Sequence, residues 1–331
     1  MKRLFDVLPG ISMPVPEVTR QIAAMWREED GSKELPPSNA HALQMNLIVH
    51  FGLETSEKEA KSIFDLSINF SQRYPCRIIV LCPEESTEDE IALEAKLFSQ
   101  CFLRGELGDR CCCESLILGY GSNEVTFLDN QLSVWLASDL PVYHWVHRAS
   151  IEHFDEGLQH FLGKARRVVF DSAVADDTPK RLSWLEPGIL SDLAYARTAR
   201  LRQSLGQFLA GRSPRVLAED LQTVTVRFHP GSSAEARCLL KWQKANLTQC
   251  SLDAEMDFSA VEFQLEDMGE TAVNSIESHW TYKGEKNLVW ELRAGSGVAW
   301  VEATFNGHPT KHPVRADPFQ PAKALAEAMF F

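Results

Sequence analysis

Met45-Asn-Leu-Ile-Val-His50 is a nearly continuous apolar run. A strand covered by helices on both faces reads this way, because neither face has to meet water. Downstream, Ser56-Glu-Lys-Glu59 forms a capping box that opens a helix carried by Ala60, Ile63 and Phe64. Pro75 follows that helix, and Cys76-Arg-Ile-Ile-Val-Leu81 is a second buried strand. Leu93–Leu97 and part of Cys112–Leu118 alternate with period two, and with a turn over Gly105–Asp109 they predict a β-hairpin. A helix over roughly 130–137 leads through Asp139-Leu-Pro141 into strand Val142–Val146, and a helix near 151–162 precedes strand Arg167–Phe170. The alternation predicts a layered α/β domain with a mainly parallel sheet over residues 41–180.

The flanks read differently. Residues 1–40 form an N-terminal extension and linker, in which Val18, Ile22 and Met25 share one helical face with Trp26 beside it, and Gly31–Ser38 has linker composition. Ala175–Lys180 reads as a boundary loop. Residues 181–214 are predicted to hold a long connecting helix, stopped by Gly211-Arg-Ser-Pro214. Residues 215–331 carry strand Thr223–Phe228, helix Ser233–Lys244, then alternating strands Val261–Leu265, Leu288–Leu292 and Val298–Phe305. Turns at Lys283-Gly284 and Gly295-Ser-Gly297 suit an antiparallel meander, so this part is expected to be an α+β domain.

The chain of 331 residues is long enough for two domains, and 44% hydrophobic with 24% charged residues is typical of a soluble globular protein. Its net charge of −13 would repel a duplex or an anionic membrane, and no basic block offsets it. No apolar stretch approaches a membrane span, and the charged, proline-interrupted start is not a secretory signal. Eight scattered cysteines in a chain of this size point to a reducing, cytoplasmic setting.

Chemistry concentrates in Asp192-Leu-Ala-Tyr-Ala-Arg197-Thr-Ala-Arg200-Leu-Arg202. Ala194, Leu201, Leu205 and Phe208 form one helical face, and Arg197 falls inside it, flanked by Arg200 and Arg202. A guanidinium there needs an internal carboxylate, with Asp192 a candidate, or a partner protein to which Tyr195 and the arginines serve as anchors. Arg73, Arg77, His147 and Arg148 are candidate anion contacts at the carboxyl ends of the parallel strands. Cys101 is expected opposite Cys112 or Cys113 across the hairpin, as a thiol switch or as small apolar filling. Gly119-Tyr-Gly121 is half a dinucleotide fingerprint, with Glu124 where the third glycine would stand, and reads as a loop. No phosphate loop or nucleophile elbow is present. His144 with His147 sits on opposite strand faces, and His308 with His312 falls in a proline-containing loop. Neither pair has a further closely spaced ligand, so no metal or cofactor is expected.

The strand Met45–Val49, then Arg73-Tyr-Pro-Cys-Arg77-Ile-Ile-Val80, Leu132–Trp145, Arg167–Ser172 and Asp192–Arg202, in this order, resembles the glucose-6-phosphate dehydrogenase assembly proteins of the OpcA family. Tyr195 stands where the family often has Trp, and Arg200-Leu201 replaces a frequent Pro-Trp. The resemblance implies a cytoplasmic, non-catalytic accessory protein that binds glucose-6-phosphate dehydrogenase, with the NADP site on that partner. The other class of function is a sugar-phosphate-binding protein or enzyme using a cleft at the carboxyl ends of the strands.

Overall fold

A computed structural model describes residues 3–30, 43–85, 93–104, 109–121, 125–149, 156–175, 177–186, 188–254, 259–305 and 307–331. The chain divides into two units, residues 1–192 with 325–331, and residues 193–324. The division falls at Asp192/Leu193. Within 175–180 the described residues begin the short helix α6 (Thr178–Arg181) of the first unit.

The first unit is built on an eight-stranded sheet of order β1-β4-β5-β3-β2-β6-β7-β8. Its strands are β1 (Ile11–Met13), β2 (Met45–Phe51), β3 (Cys76–Glu84), β4 (Glu94–Arg104), β5 (Asp109–Gly121), β6 (Val142–His147), β7 (Arg167–Phe170) and β8 (Leu190–Asp192). The apolar run of β2 is central and fully buried, parallel to both β3 and β6. Capping explains where α3 (Glu57–Arg73) starts. The Ser56 hydroxyl accepts the Glu59 N–H, while the Glu59 carboxylate accepts the Ser56 N–H at 2.9 Å. Ile48, Ile79, Leu81, Leu116 and Leu118 pack with Leu128, Leu132 and Trp135 of α4 (Val125–Trp135) into one apolar layer.

The hairpin of β4 and β5 is antiparallel, and β4 pairs on its other side with β1. Its turn, including Gly105, lies outside the described residues. Gly119-Tyr-Gly121 is not a loop but the end of β5, and Gly119 packs against the Phe5 ring. The N-terminal extension belongs to the fold. Val18 and Ile22 of α2 (Val18–Asp30) are buried in the core, and the Lys96 ammonium donates to the Phe5 and Leu8 carbonyls. The Met25 and Trp26 side chains and the segment 31–38 lie outside what is described.

The second unit holds a six-stranded sheet of order β10-β9-β11-β12-β13-β14. The strands are β9 (Leu221–Phe228), β10 (Glu262–Asp267), β11 (Asn274–Tyr282), β12 (Asn287–Arg293), β13 (Val298–Phe305) and β14 (His308–Arg315). Every pairing is antiparallel except β10 with β9. One face packs Val224, Val226, Trp280, Trp290 and Val301 with Leu201, Leu205 and Leu239 of the helices. His308 and His312 are on β14, not in a loop. That strand lies at the sheet edge, where Pro309 and Pro313 sacrifice no ladder hydrogen bond. The predicted long connecting helix is two shorter ones, α7 (Leu193–Arg197) and α8 (Ala199–Ala210).

Candidate functional site

The break between α7 and α8 arranges the arginines. Thr198 is fully buried with φ −80° and ψ 0°, and its hydroxyl donates to the Tyr195 carbonyl at 2.7 Å. A side chain that takes a carbonyl from the helical ladder favours an interruption there. Ala194, Leu201 and Leu205 are buried, as the helical wheel requires.

Arg197 leaves α7 toward α10 (Ser233–Ala254) and donates through Nε to Glu235 Oε1 at 2.6 Å. Glu235 sits in the first turn of α10, where exposed N–H groups favour a carboxylate. Both side chains are mostly buried, 25% and 18% exposed. Asp192 accepts the Ser172 N–H at 3.0 Å. The Arg197–Glu235 pair lines a cleft of about 480 Å³ whose wall includes Ser232, Arg293, Gly297 and Asp317. Gly297 has φ +59°, and a side chain there would collide with the Asp317 carboxylate.

Tyr195 and Arg202 form the outward part. Tyr195 is 40% exposed, and the Arg202 guanidinium lies 3.6 Å from its ring centroid. Arg202 also donates to the Tyr195 hydroxyl at 2.7 Å and to the Thr198 hydroxyl at 3.1 Å. The result is a solvent-facing amphipathic plate with little rotamer freedom left to lose on binding. Arg200 reaches Gln203 at 3.0 Å and lies over the Phe319 ring. Sequence reading missed Glu235. Its available signal was an acid in the first turn of the predicted helix from Ser233.

The four candidate anion contacts are not brought together. Arg73 ends α3 and Arg77 opens β3, both at the amino ends of the strands. Arg77 pairs with Glu114 and donates to the Trp135 carbonyl at 2.8 Å. His147 and Arg148 lie at the opposite, carboxyl end. Arg148 takes a positive φ of 53° and donates twice to Glu59 Oε1, at 3.0 and 2.9 Å. Burial works against the Glu59 charge, yet the Ser56 N–H and hydroxyl and the Arg148 guanidinium hold its carboxyl at about 2. The α3 N-terminus, where a doubly wound fold would receive a phosphate, is thus occupied by the protein's own carboxylate. Burial lowers the His147 pKa, and Glu59 Oε1 lies 3.8 Å from its Nε2.

On the hairpin, Cys101 stands opposite Cys112 and the two are disulfide-bonded. Cys113 is opposite Gln100, buried, and not in a disulfide.

Residues 68–186 match the family model described as glucose-6-phosphate dehydrogenase subunit N-terminal domain, of OpcA type. That segment is similar to domains of the OpcA type. It runs from within α3 to just before β8, so it contains the anion candidates and the hairpin cysteines, while Asp192–Arg202 lie just beyond it. Over 235 residues the chain is 23% identical to a putative OxPP cycle protein OpcA from Nostoc punctiforme. The match covers 69% of this chain and 47% of that protein, so the chain spans about half the length of this OpcA relative. Among solved structures, a transcriptional regulator from Kluyveromyces lactis aligns with a TM-score of 0.42 and 12% identity, over 87% of this chain and 82% of the regulator. A 3-ketoreductase from Actinomadura kijaniata, solved with TDP-benzene and NADP, aligns with a TM-score of 0.39 and 9% identity, over 86% and 89% respectively. Likeness at that level carries nothing about chemistry.

Proposed function

We propose that this chain is a non-catalytic accessory protein that binds glucose-6-phosphate dehydrogenase and favours its assembled, active state. The observation that carries this reading is the OpcA-type match over residues 68–186, joined by the similarity to the Nostoc protein named for the oxidative pentose phosphate cycle. A cytoplasmic setting follows from that role. No helix among the described residues is long and apolar enough to cross a membrane. The Tyr195–Arg202 plate and Arg200 are the surface we assign to the partner. Arg197 is assigned the internal task of fixing α7 against α10.

A partner that binds the active state more tightly shifts the equilibrium by its differential affinity alone, and a tenfold preference is about 1.4 kcal/mol. The cleft alternative is disfavoured by Glu59, which fills the α3 N-terminus, and by the separation of Arg73 and Arg77 from His147 and Arg148 along the strands. Mixing the purified protein with its cognate dehydrogenase should give a co-migrating complex and raised activity. Tyr195→Ala should weaken both at least tenfold with the fold intact. Absence of a complex and unchanged kinetics at micromolar concentrations overturn the proposal.

A further inference from the structure

One face of the second unit's sheet carries the apolar core, and charge has collected on the other. Side chains alternate along β11, so Ile276, Ser278 and Trp280 point into the core while Glu277 and His279 point the other way. Across the ladder, Glu277 pairs in register with Glu291 of β12 on one side and with Arg227 of β9 on the other. Two carboxylates directly opposite each other repel. Arg227 relieves part of this by donating to Glu277 Oε2 at 3.1 Å, but it also lies 3.2 Å from Glu266 of β10. One guanidinium therefore serves two carboxylates and leaves Glu291 without a cation. Asn274 donates to Glu277 Oε1 at 2.9 Å, and His279 Nε2 lies 2.7 Å from Glu277 Oε2. Glu291 has no hydrogen bond or ion pair among the described residues.

Glu277, His279 and Glu291 each offer one ligand atom, and the three atoms lie within 4.8 Å of one another. We propose that Glu277, His279 and Glu291 form a binding site for one divalent transition-metal ion of the zinc type, completed by water on the open side. One imidazole nitrogen with two carboxylate oxygens is a borderline donor set that suits Zn²⁺ better than Mg²⁺ or Ca²⁺, which prefer oxygen alone. A tetrahedral ion holds such ligands about 3.4 Å apart, from bond lengths of about 2.1 Å. Glu277 and His279 are already near that spacing and anchored by their strand. The unengaged Glu291 side chain closes the remainder by rotation. On binding, His279 gives up its contact with Glu277 and coordinates as the neutral ring, and its partner carboxylate keeps the Asn274 and Arg227 hydrogen bonds as outer support. The ion supplies the charge that the surplus carboxylates lack.

The test is a Zn²⁺ titration of the full chain after chelator treatment, read by competition with a chromogenic chelator. The wild-type chain should bind one ion at this site, with millimolar Mg²⁺ unable to displace it. Glu291→Gln and His279→Ala should each lower the affinity at least tenfold. Glu291→Gln touches no existing contact, so its fold is not at stake, and near-ultraviolet circular dichroism checks both variants. Glu302→Gln, which alters an exposed carboxylate paired with Lys311 on the same sheet, should change nothing. Binding in the variants equal to wild type would place any bound zinc on the cysteines or other histidines and overturn the proposal. So would the absence of binding at about 0.1 mM, an affinity too weak for a built site.

Discussion

Replacing Arg197 by Leu separates an internal role from an interfacial one, because Leu keeps the apolar stripe and deletes the charge. The structure sets the magnitude. Breaking a fully buried pair costs about 3–5 kcal/mol, and an exposed pair contributes about 0–1 kcal/mol. With exposures of 25% and 18%, the Arg197–Glu235 pair falls between these limits. Glu235 also keeps the N-terminal N–H groups of α10, which soften the loss of its partner. The expected cost is about 2 kcal/mol, or roughly 6 °C in the midpoint of the second unit at about 3 °C per kcal/mol. Thermal denaturation of the full chain, followed by tryptophan fluorescence, checks this. Adding Glu235→Leu should restore most of the loss, since an apolar pair removes the stranded carboxylate. Dehydrogenase activation by Arg197→Leu should stay near wild type below its midpoint. An unchanged midpoint with lost activation would put the guanidinium at the interface and refute the internal role; no change in either would show that the pair contributes nothing.

Three further outcomes follow from buried polar groups and from the hairpin. His144 is fully buried, both its ring nitrogens lack partners among the described residues, and burial and the neighbouring His50 hold its pKa well below the ordinary value. Its unfolded form gains a proton below about pH 6.5 that the folded form refuses, so stability should fall as pH drops from there, by up to about 1.4 kcal/mol per pH unit. His144→Leu should flatten that slope in urea midpoints measured from pH 7 to 4.5, and should raise stability at pH 7 by about 1 kcal/mol; an unaltered slope would contradict it. Glu59, held at about 2, contributes stability above its ordinary value of about 4.5 that is lost as pH falls through the folded value, so Glu59→Gln should remove part of the acid limb between those pH values. Peptide mapping after oxidation should link Cys101 to Cys112, with Cys113 alkylated only after unfolding. A Cys101–Cys113 link would mean the hairpin register is off by one residue.

The parallel sheet was legible in the sequence because strands buried on both faces leave unbroken apolar runs, as in Met45–His50 and Cys76–Leu81. The meander was legible from alternation. Less visible was β14, whose prolines argue against a strand unless its edge position is known. The break at Thr198 depends on a local hydrogen bond that a helical wheel does not register. Glu235 escaped notice because the partner of a buried arginine is set by how α7 meets α10, 38 residues apart along the chain. The Glu277, His279 and Glu291 group had no motif to betray it. Two of its members lie two apart on one strand, and the third arrives through register with the next.

The first unit is not contiguous. Its Phe70, Tyr74 and Tyr143 surround Phe330, with ring centroids 6.3, 5.0 and 5.7 Å away, and Phe330 lies beyond the whole of the second unit in chain order. During synthesis the second unit can gather its sheet from one uninterrupted stretch, whereas the earlier-made first unit has to wait with an aromatic slot open. That slot is an exposed apolar surface for as long as about 130 residues take to emerge, some 7–26 s at ribosomal speeds. Chaperone demand should therefore fall on the older half of the chain rather than the newer one, and a circular permutation that starts at residue 193 would make both units contiguous and remove the wait.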